Sequence, residues 1–396
     1  MRSLSGKLLA AMSLLSLPAM ASANEAAKAT NALAIKLLQA SEPGNAAFSP
    51  YSIQVALAMV YAGAEGETRA QMATALKYPT PDMVPAFGAL QTQIQSTKGK
   101  VDLVSANRLF GQSGYQFNPA YLSLVKKTFG SEMQELDFDQ PVPAAKKING
   151  WIEDSTRKRI RDLVSPDAVR GARLVLANAI YFKASWATPF KKDHTTSLPF
   201  HQTDGKQITT PTMVSNEFYG LAKHADFSLI TLPYADPDLQ LVIVLPEPGK
   251  SLAAVEHKLD ANVFKESAQL KEQKIVLFLP RFKLEPPTWP LGPTLKGLGM
   301  PSAFDSPTGS ANFNGIAPRK PDDYLYISQV LHKCFVEVNE EGTEAAAATA
   351  VVMLAGAAMP TTPPPEIHVD RPFLFAIQHR PTGACLFLGR VTDLSK

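Results

Sequence analysis

The segment over residues 340–371 constrains this chain more than any other. It reads Glu-Glu-Gly-Thr-Glu, then an alanine-rich run to Ala350. Val351-Val352-Met353-Leu354-Ala355-Gly356-Ala357-Ala358-Met359-Pro360 follow, and Pro363-Pro364-Pro365 stiffen the far end. Neither a period of two nor one of 3.6 marks it as buried structure. Small uncharged residues between two strand-like stretches, 324–338 and 371–389, have the composition of an exposed loop. Nothing in them forbids burial as a strand, however. Thr343, Ala345, Ala347, Thr349, Val351 and Met353 would share one face of an extended segment, because side chains alternate. Glu344 would point to the other side. The sequence specifies a loop that is also competent to become a central strand.

The remaining elements come in a mixed order. Helical spacing covers 25–40, and Ser49 or Ser52 can cap an apolar helix over 53–62. Further helices are predicted over 68–76, 81–95 and 119–129. An amphipathic one over 144–155 has Ile148, Trp151 and Ile152 on its apolar side. Strands are predicted at 101–110, 174–183, 199–201, 207–211, 227–232, 239–245 and 274–279, with a short helix over 295–304. Helices first and strands later predict an α+β class rather than a repeating βαβ pattern. The run over 174–183 is apolar throughout, as in a strand buried on both faces. Asn178 in its middle is a polar group that needs partners there.

Residues 1–23 read as a secretory signal. Arg2 and Lys7 open it, an apolar core runs from Leu8 to Leu17, and Ala21-Ser22-Ala23 form a cleavage site. The apolar stretch is shorter than the ~20 residues that a membrane span needs. Removing it takes away two positive charges and no acidic ones, so net charge falls from +3 to +1. A near-neutral chain gives no argument for nucleic acid or an anionic membrane as partner. The basic groups at Lys146-Lys147 and Arg157-Lys158-Arg159 with Arg161 read as a solvated surface. Apolar content of 45% supports a substantial core, and residues 24–396 are long enough for one large domain or two. Cys334 and Cys385 are too few for a disulfide framework and are expected as two buried thiols. No asparagine starts a glycosylation sequon, which is compatible with a bacterial source.

The chain lacks the common catalytic signatures. It has no Gly-x-Ser-x-Gly elbow, no His-Glu-x-x-His site, no Cys-His cluster and no phosphate-binding glycine loop. Ser155-Thr156-Arg157-Lys158 and Ser123-Leu124-Val125-Lys126 fit a Ser-x-x-Lys pattern, but no Ser-Asp-Asn or Lys-Thr-Gly accompanies them. No enzyme activity, metal or cofactor is expected.

Several motifs in order carry a family resemblance. They are Phe48-Ser49-Pro50-Tyr51-Ser52-Ile53, Ala62-Gly63-Ala64, and Leu176-Ala177-Asn178-Ala179-Ile180-Tyr181-Phe182-Lys183 with Trp186 and Pro189-Phe190. His332-Lys333, the 340–365 segment, Arg371-Pro372-Phe373 and Leu386-Phe387-Leu388-Gly389-Arg390-Val391 complete the set. From about residue 25 to the C-terminus the chain resembles the serpins. The resemblance implies a single-domain fold with a mixed main β-sheet, further sheets, surrounding helices and an exposed reactive-centre loop at about 340–368. It makes Glu340, Gly342, Thr343, Ala345, Ala347 and Thr349 the hinge that enters the sheet. It places Ser49, Ser52, Asn178 and His332 in a polar cluster that governs sheet opening, and Trp186 at the sheet top. The helix over 144–155 resembles the one that crosses the main sheet.

The resemblance also implies suicide inhibition of a serine protease, by an acyl-enzyme whose cut loop inserts into the sheet. Non-inhibitory members share the fold, so a binding protein is the alternative. The insertable hinge favours the inhibitor. Counting from Gly342 by the family's usual spacing puts the scissile bond near Gly356-Ala357, and cleavage is expected within Met353, Leu354, Ala355, Gly356, Ala357 and Ala358. No Lys or Arg lies in 334–370, which disfavours trypsin-like targets. Elastase-, chymotrypsin- or subtilisin-like enzymes are expected, and a papain-like cysteine protease is a further option. The protein is expected to be a secreted or periplasmic monomer.

Overall fold

The computed structural model describes residues 17–81, 83–96, 101–343 and 363–395. Helix α1 (Leu17–Ala40) leads into strand β1 (Ala46–Phe48). Ser49, not Ser52, then caps α2 (Pro50–Tyr61): its hydroxyl accepts from the Ser52 amide at 3.0 Å. Pro50 takes the first turn, where an N–H would have no helical partner. The helix therefore starts three residues before the expected position, and all of α2 is buried. The rest of the first half comprises α3 (Gly66–Ala75), α4 (Met83–Gln95), β2 (Val101–Gln112) and α5 (Pro119–Phe129). β3 (Gln134–Leu136), α6 (Pro141–Ser155) and α7 (Pro166–Val169) complete it.

Strands dominate the second half. They are β4 (Leu174–Ser185), β5 (Thr196–His201), β6 (Gln207–Lys223), β7 (Phe227–Pro233) and β8 (Leu239–Pro246). Two short helices, α8 (Leu252–Lys258) and α9 (Asn262–Ser267), precede β9 (Glu272–Pro280), β10 (Phe282–Leu284) and β11 (Trp289–Pro290). Next come α10 (Gly292–Gly297), β12 (Ile327–Asn339), β13 (Gly342–Thr343), β14 (Glu366–His368), β15 (Phe373–His379) and β16 (Ala384–Val391). The class is α+β in a single domain. β6 runs far past its expected end, because Pro211 does not stop it: its carbonyl accepts from the Arg281 amide and the strand continues along β9. The helix expected over 295–304 is α10 plus a separate turn. Gly299 at φ +106° and the following Pro301 break it.

Among the described residues the strands form two sheets. One runs β1-β16-β15-β8-β7-β6-β9-β14, with β5 against β6. The other runs β10-β12-β13-β4-β2-β3, with β11 against β12, and here β4 and β12 also pair directly. That second sheet is mixed: β4 is antiparallel to β2 and parallel to β12. It has a core on each face. Leu174, Leu176, Ile180, Phe182 and Ala184 pack into the large core with α2. Val175, Ala177 and Ala179 pack on the other side against Ala144, Ala145, Ile148 and Ile152 of α6, together with Leu331 and Phe335 of β12. Strict alternation along a strand buried on both sides is what gives 174–183 its unbroken apolar character. Cys334 and Cys385 are free and buried, and burial pushes both thiols up, away from the reactive thiolate. Among the described residues no helix is long and apolar enough to cross a membrane.

Candidate functional site

The seam between β4 and β12 is the centre of the site. The two strands pair directly from Leu174 and Ile327 up to Tyr181 and Phe335. Beyond that they diverge, and β13 lies between them. Gly342 and Thr343 face Ser185 and Ala184 of β4 on one side, and Asn339 and Val338 of β12 on the other. Residues 340–343 are therefore a turn and strand β13, and the described chain resumes at 363, just before β14, which pairs with β9. Residues 344–362 lie outside the described residues. The hinge positions Ala345, Ala347 and Thr349 and the cleavage region Met353–Ala358 fall there.

Local geometry accounts for the tight entry of β13. The Asn339 side chain accepts from the Glu341 amide and turns the chain back on itself. Gly342 has φ +147°, and a Cβ there would lie 2.0 Å from the Ala184 carbonyl oxygen, so only glycine fits. Thr343 is fully buried, and its hydroxyl shares a 2.7 Å hydrogen bond with the Tyr234 hydroxyl. Tyr234 stacks on Trp186 at 4.7 Å, and burial pushes its phenol up. Trp186 closes the top of the sheet by donating from Nε1 to the Asn339 carbonyl and from its amide to the Glu341 carbonyl.

The turn is also held by charge. Glu340 is buried, and its Oε1 accepts from Arg281 and Thr195. Burial pushes this carboxyl up, but those hydrogen bonds outweigh it and hold the group below the usual carboxylate value. Glu341 pairs with exposed Lys192 at 2.7 Å.

Lower in the seam sits the polar cluster. His332 and Asn178 are register neighbours on β12 and β4. His332 Nε2 accepts from the Ser49 amide at 3.0 Å, so Nδ1 carries the proton and donates to Asn178 Oδ1. The Asn178 amide donates to Ser52 Oγ at 2.6 Å and to Asn107 Oδ1. Ser52 Oγ donates to Asn107 Oδ1, and the Asn107 amide donates to Ser105 Oγ. Ser49 Oγ is spent on the Leu386 carbonyl. The structure thus brings Ser49, Ser52, Asn178 and His332 together and joins the base of α2 to the seam. Burial alone drives His332 down to about 3, so the imidazole is neutral. Asn178 and His332 hold β4 and β12 together within the seam, and Gly342 and Thr343 lie where the two strands have parted.

Sequence reasoning did not name Tyr234, Thr195, Arg281, Ser105 or Asn107. The last two were findable: Leu103, Ser105, Asn107 and Leu109 alternate on one face, so two polar residues interrupt an apolar stripe. The others come from distant strands and carry no local signal.

Comparison with known proteins agrees with this geometry. The family model described as serpin (serine protease inhibitor) matches residues 26–394. Serpin B8 of Homo sapiens is 38% identical over 356 residues, covering 88% of this chain and 93% of its own. Leukocyte elastase inhibitor of Xenopus laevis is 36% identical over 369 residues, covering 90% and 95%. Among solved structures, native protease nexin-1 with heparin has a TM-score of 0.82 at 28% identity, covering 95% of this chain and 100% of that one. The relatives named here are vertebrate proteins, and they lend no support to a bacterial source.

Proposed function

The chain belongs to the serpin family of serine protease inhibitors, and from that premise we propose that it traps elastase-, chymotrypsin- or subtilisin-like serine proteases through a loop that inserts between β4 and β12. The protein is an inhibitor and not an enzyme. The target serine attacks the loop and forms an acyl-enzyme ester, and the new amino terminus beyond the cut leaves the acyl carbon while its chain stays seated in the first sheet as β14, β15 and β16. Insertion must then outrun hydrolysis of that ester. About 14 residues of strand at ~3.3 Å each span roughly 46 Å, so the tethered protease is carried far from where it docked. The native state is held by a barrier rather than by being the lowest state.

The observation that supports this most is β13. Its two residues occupy the first two places of a strand whose seat is otherwise closed. Continuing its register fills that seat residue by residue. Glu344 falls opposite Lys183, Thr349 falls between Asn178 and His332, and Met353 reaches Leu174, the first residue of β4. The seat is as long as β4, 12 residues, and ends where the proposed cleavage region begins. Thr343, Ala345, Ala347, Thr349, Val351 and Met353 enter on the α2 side without charge. Glu344 stays on the opposite face, beside a cation.

The absence of Lys and Arg from 334–370 supports an elastase- or subtilisin-like target, as do the names of the elastase-inhibitor relatives. A papain-like cysteine protease reaches the same acyl stage as a thioester and is a secondary target. We further propose a secreted or periplasmic location for the mature protein, on the signal-like residues 1–23. The test is melting before and after nicking the loop. A large upward shift supports insertion, and an unchanged melting point removes it.

A further inference from the structure

We propose that a cavity between the end of α1, α8 and β16 binds a small organic anion with an apolar body. Its volume is about 570 Å³, which lies in the range of small-molecule sites. None of the hinge or polar-cluster residues lines it, so it is separate from the inhibitory seam.

The floor is an ion pair that is already complete. Arg390 Nε and Nη2 each donate at 2.9 Å to the two oxygens of Glu256. The other Arg390 donors go to the carbonyls of Leu38, Glu42 and Gly44 and to Ser41 Oγ. Both side chains are nearly buried, at 8% and 13% exposure. Glu256 is the one carboxylate among the lining residues, and it is neutralised. The floor therefore offers neither a free negative charge nor a mobile arm.

The rim has the opposite character. Arg371 donates from Nε to the Pro246 carbonyl and from Nη1 to Asp370 and the His368 carbonyl, but its Nη2 has no partner among the described residues. The imidazoles of His201 and His257 and the hydroxyl of Thr203 also line the cavity and make no hydrogen bond to the described protein. Lys250 adds a cation, although Asp226 partly satisfies it. Open donors around a cavity with no free carboxylate favour an anionic head group. Between them lie Pro43, Leu252, Ala253 and Pro372, which supply apolar contact for the rest of the ligand.

The probe is 8-anilinonaphthalene-1-sulfonate, titrated by fluorescence and by melting against the intact native chain. Saturable binding of one equivalent is expected, with a melting point that climbs with probe concentration. Arg371→Gln removes the open guanidinium donor. Ala253→Trp fills the cavity from the exposed face of α8 and leaves the ion pair untouched. Each substitution is expected to weaken the probe by about tenfold or more. If Arg371→Gln misfolds, Ala253→Trp alone decides. An unsaturable wild-type signal, or an Ala253→Trp variant that binds as tightly as wild type, overturns the proposal.

Discussion

His332 and Asn178 are hydrogen-bonded across the line along which β12 and β4 must part, and a single imidazole links that seam to the capped start of α2. The ring must stay neutral, because Nε2 accepts while Nδ1 donates.

The first prediction concerns pH. His332 has an ordinary value near 6.5 when unfolded and about 3 in the native chain. The unfolded state thus binds the proton more readily over that window. The contribution of His332 is fully present above about pH 6.5 and is lost progressively as pH falls toward about 3, by at most about 1.4 kcal/mol per pH unit. Denaturant melts of the native form from pH 7.5 to 4.5 should fall with acid. His332→Gln should flatten the slope over that range, and an unchanged slope would remove His332 as its source.

Thr349 is predicted to matter only after insertion. By register it lands between Asn178 and His332 and separates that pair, so its hydroxyl is the group available to satisfy them. Thr349→Val should lower the stability of the loop-cleaved form by about 1–3 kcal/mol, the cost of an unsatisfied buried polar group. The uncut form should melt as wild type does. Equal losses in both forms, measured by paired denaturant melts, would contradict the register.

Thr343→Arg places a guanidinium where the side chain is fully buried against Tyr234. The charge opposes strand entry. The variant should be cleaved as a substrate with little covalent complex, so the number of inhibitor molecules spent per protease rises steeply. Wild-type complex yield from this variant would reject the hinge assignment.

The connector after α6 is fastened on both sides of β4. Arg157 pairs with Asp102 of β2, and Lys333 of β12 donates at 2.8 Å to the Arg161 carbonyl. Arg157, Lys158 and Asp162 hold left-handed backbone at φ +52°, +62° and +51°, which is strained for non-glycine residues. Admitting a strand widens the β4–β12 spacing by about 4.8 Å and pulls the two fastenings apart. Lys333→Met should therefore shorten the half-life of the active native form at raised temperature several-fold. A lengthened half-life would mean that the contact strains the native sheet instead of holding it.

Much of this was readable in the chain, for local reasons. The buried strand β4 shows itself by continuous apolar residues. Asn178 stood out as one polar group in an apolar run. What stayed hidden depends on distance along the chain. Glu340 is neutralised by Arg281 and Thr195, and Thr343 is received by Tyr234. No window of sequence contains these pairs. Pro211 misled because a proline reads as a strand end, whereas here only its carbonyl is needed by the neighbouring strand. The early entry of Gly342 and Thr343 into the sheet was equally unreadable, since loop and strand share one composition there.

The most direct test is a denaturing gel of the mature chain mixed separately with pancreatic elastase, subtilisin and trypsin, with mass spectrometry of the released C-terminal peptide. The account predicts a stable covalent adduct with elastase or subtilisin, none with trypsin, and a peptide beginning within residues 354–358. Complete cleavage in that region by elastase and subtilisin, with no adduct and no rise in melting point of the cut protein, would contradict it.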